Sequence, residues 1–290
     1  MDARPFRSVL YIPGSKERAL EKARGLAADA IIFDLEDAVA PDEKANARTL
    51  LARTLAEADY GRRAKLVRIN ALSTGWGADD LEVISEARPE AVLLPKVDGP
   101  ADIEALARLL DARPETAETR IWAMMESPKG VLDAAAIAAA PRMAGFVLGT
   151  NDLAKDLGCR VGPGRAALQC ALQTCLLAAR AEGIVAVDGV YNAFRDEDGL
   201  RAECVEGRDL GFDGKTLIHP AQIDIANEVF APEAGEVDLA RRQIAAHQEA
   251  TARGEGVAVV DGKIVENLHV ETAQRLLARA AAIAELQGAG

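Results

Sequence analysis

Residues 8–16 read SVLYIPGSK, a short apolar run that ends in Pro13-Gly14-Ser15-Lys16. An open, doubly wound sheet usually carries a GxGxxG turn after its first strand, and a nucleotide-binding loop has a GK[ST] ending. Neither pattern stands here. Seven runs of the same kind follow: 30–34 (AIIFD), 65–69 (KLVRI), 91–94 (AVLL), 120–125 (RIWAMM), 145–148 (GFVL), 184–187 (IVAV) and 214–218 (GKTLI). Each is bounded by Gly, Pro or charge and followed by a stretch of helical character. Continuous apolar runs suit strands buried on both faces of a parallel sheet. Eight such strands alternating with helices over about 220 residues predict a (β/α)8 TIM barrel rather than an open sheet.

The chain divides on the same reading into a barrel over 1–230 and an extension over 231–290. The segment from Ala231 reads as a helix ending near Gly254. VAVVDGKIV then reads as a hairpin, because Asp261-Gly262 between apolar runs is a strong turn signal. A last helix over 268–286 carries Val270, Ala273, Leu276, Leu277, Ala280 and Ile283 on one stripe. A helix–hairpin–helix of this size is too small to fold alone, so it is expected to pack on the barrel or on a neighbouring subunit.

Composition narrows the function classes. With 34 basic and 46 acidic residues the formal net charge is −12, and only 4 % of residues are aromatic. That balance lacks the basic stripe and stacking platform of a nucleic-acid binder. A 49 % hydrophobic and 28 % charged chain of 290 residues is globular. No apolar run reaches the roughly 18 residues of a membrane span, and the opening MDARPFRSVLYIPG has no signal-peptide core. The four cysteines, Cys159, Cys170, Cys175 and Cys204, show no CxxC spacing and are expected to be reduced thiols in a cytoplasmic protein. Three histidines limit any mechanism built on imidazole.

In a barrel of this kind the active site lies at the carboxyl ends of the strands. There the sequence places Asp34-Leu35-Glu36-Asp37, Arg68-Ile69-Asn70, Pro95-Lys96, Glu126-Ser127, Asn151-Asp152 and His219-Pro220. Asp34, Asp37 or Asp152 would serve equally well as helix caps, Arg68 as half of a structural ion pair, and His219 as a turn histidine. Three carboxylates in four residues exceed what capping needs. Glu126 directly after a buried strand costs several kcal/mol unless paired or metal-bound. Oxygen-rich donors select a hard cation, so magnesium is the natural ion. A divalent ion and an arginine in one mouth suit a developing enolate or a bound 2-oxo acid.

RSVLYIPGS followed by AIIFDLEDAVAPDEKANAR resembles the opening of the citrate lyase β-subunit-like (CitE-like) proteins, grouped with malyl-CoA and citramalyl-CoA lyases in the HpcH/HpaI aldolase superfamily. The resemblance continues through LVRIN, LLPKV, MMES, LGTNDLAKDLG and DGKTLIHPAQI and so covers residues 7–225. It implies a magnesium-dependent carbon–carbon lyase that cleaves or forms a short 3-hydroxyacyl-CoA thioester, giving an acyl-CoA and a 2-oxo acid such as glyoxylate, pyruvate or oxaloacetate. It also implies a homotrimer or hexamer. Glu126 and Asp152 match the family's magnesium ligands, and Arg68 matches the arginine facing substrate and thioester oxygen. Glu36 and Asp37 match an acidic pair behind the metal. Tyr11, Lys16 and Lys22 fall at thioester-carrier contacts, with Ile218 and His219 along the CoA channel. CoA is polyanionic, so an acidic protein needs a local basic rim, for which Lys16, Arg18 and Lys22 are the candidates.

Two positions depart from the family pattern. DGKIVE puts Glu266 where longer lyases carry a catalytic aspartate from a neighbouring subunit, and Lys129 stands where a small residue is usual. Glu266 is expected to be functional, against the alternative of a solvated hairpin charge. Two other functions remain open to the sequence: a citrate lyase β subunit acting on a citryl thioester of an acyl carrier protein, and a non-catalytic 2-oxo acid or CoA-binding barrel.

Overall fold

The computed structural model describes residues 4–288; the extreme ends of the two expected ranges, residues 1–3 and 289–290, lie outside them. Eight strands are present: β1 (Ser8–Pro13), β2 (Ala30–Asp34), β3 (Ala64–Arg68), β4 (Ala91–Leu94), β5 (Arg120–Met125), β6 (Met143–Leu148), β7 (Val185–Asp188) and β8 (Gly214–Leu217). They close into one parallel barrel in sequence order, sealed where Ser8, Val9 and Leu10 of β1 pair with Lys215, Thr216 and Leu217 of β8. The expected (β/α)8 TIM barrel is therefore the observed fold. Strand ends agree with the sequence within one or two residues. Ile218 falls outside β8 because Gln222 Oε1 accepts its N–H and turns the chain.

The strands are buried on both faces, as their apolar runs require. Val9, Ile32, Leu66, Leu93, Trp122, Met124, Val147 and Val187 fill the barrel interior. Their alternate neighbours, such as Leu10, Ile31, Phe33, Val67 and Val92, pack outward into the larger cluster shared with the helices. Successive strand side chains point to opposite faces. The inward series Ile32, Leu66 and Met124 therefore continues, one step on, to Asp34, Arg68 and Glu126 at the carboxyl-end mouth.

Two buried ionic groups lie away from that mouth. At the opposite end, Arg7 grips Asp29 through Nε and Nη2 at 2.9 and 2.8 Å, tying the starts of β1 and β2. Behind β7 and β8, Lys215 and Asp188 pair at 3.0 Å with neither side chain exposed, joined by Arg165 and Glu203. The outward parity of Asp188 and Lys215 puts this cluster between the wall and the helix Glu197–Leu210.

Phe6–Phe230 forms one compact unit, and the residues from Ala231 belong to a second. The second unit holds the helix Ala234–Ala252, the antiparallel strands β9 (Ala258–Val260) and β10 (Lys263–Val265), and the helix Asn267–Gly288. Asp261 and Gly262 both take positive φ, 50° and 73°, as a two-residue hairpin turn requires. Ala250, Ala258, Val260, Val265 and Val270 form its own small core. All four cysteines are free; Cys170 is exposed and Cys175 is buried. Among the described residues no helix is long and apolar enough to cross a membrane.

Candidate active site at the barrel mouth

The end of β2 and the end of β3 meet through charge. Arg68 donates from Nε and Nη2 to the two oxygens of Asp34, at 2.7 and 2.6 Å. Its third nitrogen, Nη1, lies 2.8 Å from Glu36 Oε2 and 4.0 Å from Asp37. The Glu36 contact is an ion pair without hydrogen-bond alignment, which leaves Oε2 buried and unbonded. The Tyr11 ring covers the guanidinium at 4.9 Å, and its hydroxyl donates to Met124 Sδ at 3.3 Å. Arg68 is only 8 % exposed. Burial works against its charge, but Asp34 outweighs that and holds the guanidinium above its ordinary range. Burial also pushes the Glu36 carboxyl up to about 7, against the pull of Arg68.

The acidic turn itself is braced from behind. Asp34 accepts the Glu36 and Ala38 N–H groups at 2.9 and 3.1 Å, so it orders the turn as well as pairing with Arg68. Lys44 Nζ donates to the Leu35 and Glu36 carbonyls, and Asn70, itself held by Asp80, donates to the Leu35 carbonyl. Asp37, at the outer edge of the Arg68 contacts, is exposed.

A second group stands at the ends of β4, β5 and β6. Glu126, 2 % exposed, accepts the Lys96 backbone N–H at 2.7 Å. Burial raises its carboxyl above the usual range, opposed by the Lys96 charge. Asp152 lies in the first turn of the helix Thr150–Leu157, whose N-cap is Gly149, so capping is not its role. The Lys96 ammonium sits between the two acids, 2.7 Å from Asp152 Oδ2 and 3.4 Å from Glu126 Oε1. Gly149 leaves room beside them: a β-carbon there would stand 2.6 Å from Glu126 Oε2. The charges of Glu126, Arg68 and Glu36 act on one another, so the two groups form one electrostatic site.

This donor set fits magnesium. Two carboxylates already converge on one cation, and the glycine gap keeps space beside them. Among the described residues no group of three or more His, Cys, Asp or Glu is placed to hold a metal ion by itself. Two protein carboxylates with water and substrate oxygens completing the shell is the usual arrangement for this ion.

Around the rim, Lys16, Arg18 and Lys22 are exposed at and along the helix Glu17–Ala23. Ile218 is 42 % exposed. His219 accepts the Ala221 N–H at Nδ1 and stacks on Phe194 at 4.5 Å, so it is a turn residue with one ring face engaged. Phe194 and Arg195 line an open hollow of about 450 Å³ with Asn192, Ala193 and Asp196. Sequence reasoning assigned nothing to this loop; an aromatic inside the polar run YNAFRDEDG is the signal it offered. Lys129 is exposed in the short helix Pro128–Leu132. Glu266 lies in the second unit, exposed, directly after β10, where its N–H donates to His269 Nδ1.

Comparison with known proteins agrees with this geometry. Residues 7–220 match the family model HpcH/HpaI aldolase/citrate lyase. The chain is 65 % identical over 282 residues, 97 % of each chain, to a (3S)-malyl-CoA thioesterase of Cereibacter sphaeroides. It is 37 % identical to the citrate lyase subunit beta of Escherichia coli, covering 96 % of this chain and 94 % of that one. Among solved structures, CitE from Mycobacterium tuberculosis in complex with magnesium, acetoacetate and coenzyme A superposes with a TM-score of 0.78 at 31 % identity, covering 96 % of this chain and 99 % of that one. A full-length match, an eight-stranded barrel and a carboxylate–arginine mouth agree: the chain belongs to the HpcH/HpaI aldolase/citrate lyase family of enzymes.

Proposed function

We propose that this enzyme acts on a short 3-hydroxyacyl-CoA thioester of the malyl-CoA type, with magnesium held by Glu126 and Asp152. One observation carries the substrate: 65 % identity over 97 % of both chains to a (3S)-malyl-CoA thioesterase. The magnesium reading is supported by the paired carboxylates around Lys96 and by the metal in the related CitE structure. When bound, the ion supplies Lewis-acid polarisation of the substrate's hydroxy-acid oxygens.

The carbon–carbon lyase chemistry expected from the sequence is the chemistry of the family. In that reaction the hydroxyl gives up its proton, and the bond between the hydroxyl-bearing carbon and the α-carbon of the thioester breaks to leave a 2-oxo acid and an acyl-CoA enolate. The enolate takes a proton on carbon, so no net proton is consumed. Arg68, braced by Asp34, presents its guanidinium to the enolate oxygen. The relatives at 64–65 % identity favour a second outcome on the same substrate. Water adds to the thioester carbonyl, the carbonyl oxygen becomes an oxyanion, and CoA leaves as a thiol with release of the hydroxy acid. The same guanidinium faces the same oxygen in both, because an enolate and a tetrahedral oxyanion each carry their new charge there. We take thioester hydrolysis as the net reaction of this chain and carbon–carbon cleavage as the second reading.

Lys16, Arg18 and Lys22 supply the basic rim for the CoA phosphates, with Tyr11, Ile218 and His219 along the carrier's path, and Glu36 and Asp37 behind the metal. Glu266 acts, in this reading, at the mouth of a neighbouring subunit in a homotrimer or hexamer. Four unpaired cysteines support a reducing, cytoplasmic setting.

Incubation of the purified protein with (3S)-malyl-CoA and magnesium separates the outcomes. Free CoA thiol with malate marks hydrolysis; acetyl-CoA with glyoxylate marks the lyase. Turnover of neither, together with turnover of a citryl thioester on an acyl carrier protein, would replace the substrate.

A further inference from the structure

We propose that Lys96 is a metal-gated lysine: its ammonium fills the Glu126–Asp152 pair until a divalent cation displaces it, and the freed ammonium then receives the carboxylate of the bound acid. The inference rests on the magnesium reading above and adds to it an order of binding, metal before acid.

The ammonium stands where the ion must stand. It is 2.7 Å from Asp152 Oδ2 and 3.4 Å from Glu126 Oε1, and magnesium takes oxygen ligands at about 2.0–2.1 Å. Two cations cannot share that space, since a divalent ion and an ammonium a few ångströms apart repel strongly in a partly desolvated site. One must leave, and the geometry decides which. Glu126 is buried and fixed, whereas the Lys96 side chain is 45 % exposed and has four rotatable bonds leading to solvent.

The backbone permits the exchange. The Lys96 N–H donates to Glu126 Oε1 at 2.7 Å independently of the side chain, so the strand end stays anchored when the ammonium swings out. Lys96 also holds φ at 54°, a conformation uncommon for residues other than glycine and concentrated at functional sites. That conformation sets the Cα beside the mouth, from which the side chain reaches both acids.

A purely structural ion pair looks different in this same molecule. Lys215 and Asp188 are both fully buried, locked by Arg165 and Glu203, with no route to solvent. The Lys96 pair is open on one side and built on two carboxylates that a hard cation would also choose. Once displaced, the ammonium remains at the rim of a mouth that has just gained positive charge. An anionic acid entering there meets the metal and a free ammonium together; before metal loading it meets an ammonium already neutralised by two carboxylates.

Amine labelling with acetic anhydride, followed by peptide mass spectrometry, reads this directly without reference to turnover. Lys96 should label slowly in metal-free protein, at least fivefold faster in saturating magnesium, and slowly again when pyruvate is added with magnesium. Calorimetry run in parallel should show one magnesium bound, with Lys96→Met binding it at least tenfold more tightly. Magnesium binding without any rise in Lys96 labelling overturns the exchange and leaves the metal reading intact. Absence of magnesium binding overturns both. A rise that pyruvate does not reverse overturns the anion-receiving half.

Discussion

Arg68 and Asp34 form a two-pronged fork, Nε to Oδ1 at 2.7 Å and Nη2 to Oδ2 at 2.6 Å, between neighbouring strand ends. Both side chains are buried, so neither charge has water to fall back on. Removing one partner of such a pair strands the other. Asp34→Ala should therefore lower unfolding stability by about 3–5 kcal/mol and also release the acidic turn it orders. Chemical denaturation reads the loss; a change within about 0.5 kcal/mol, as at an ordinary surface site, would contradict it. Arg68→Lys keeps the charge without the planar fork, and should fold but lose most turnover.

Glu126→Gln separates folding from metal binding. The carboxylate is held above its usual range chiefly by burial, so an amide of the same shape relieves that cost. The variant should melt no lower than wild type in metal-free buffer, yet bind magnesium at least tenfold more weakly by calorimetry. Full turnover in Glu126→Gln would remove this residue from the metal site.

Much of this site is legible in the sequence because strand parity is rigid. Once AIIFD, KLVRI and RIWAMM are strands, the inward series must carry Asp34, Arg68 and Glu126 to the mouth. The fold was legible for the same reason, since runs apolar on both faces leave few alternatives to a parallel barrel. Lys96 was legible as a residue of the mouth, but its pairing with Glu126 and Asp152 was not. A lysine after a strand ordinarily reads as solvated, and its targets lie 30 and 56 residues away, joined only when the barrel closes. Asp188 and Lys215 escaped notice because each sits in an otherwise apolar run and finds its partner across a strand pair. Phe194 escaped because irregular loops carry no periodicity from which a stacking partner such as His219 can be inferred.

Glu36 gives the metal-free protein a pH signature. Its carboxyl titrates at about 7 when folded, above the 4.5 of an ordinary glutamate, because burial disfavours the charge. The folded state thus holds a proton that the unfolded chain has released between those two values. The associated stability is present in full below about 4.5 and is lost as pH rises through about 7. Glu36→Gln removes this dependence while other groups titrate alike in both proteins. The melting temperature of wild type minus that of Glu36→Gln should rise steadily as pH falls from 8 to 5, corresponding to at most about 3 kcal/mol. A flat difference, or one that falls toward acid, would show that Arg68 pairing rather than burial governs Glu36.

Gly149→Ala probes the metal site without touching a ligand. A methyl group there would collide with the Glu126 β-carbon and stand 2.6 Å from Oε2. Gly149 has φ −90° and ψ 69°, which an alanine can adopt, so the conflict is with Glu126 and not with the backbone. Rotation about χ1 leaves the Glu126 β-carbon in place, so the ends of β5 and β6 must shift apart, taking its carboxylate off the position shared with Asp152. Displacement of about 1 Å at a catalytic group costs on the order of 10²-fold in rate. Turnover should fall by about that factor, with magnesium affinity at least tenfold weaker. Gly158→Ala supplies the opposite case nine residues on. Its φ is +63° with open space around the site, so a side chain there is strained but touches nothing. That variant should lose about 1 kcal/mol of stability and keep wild-type magnesium affinity. Equal magnesium binding in the two variants would show that the gap beside Glu126 is not what keeps the carboxylates in register.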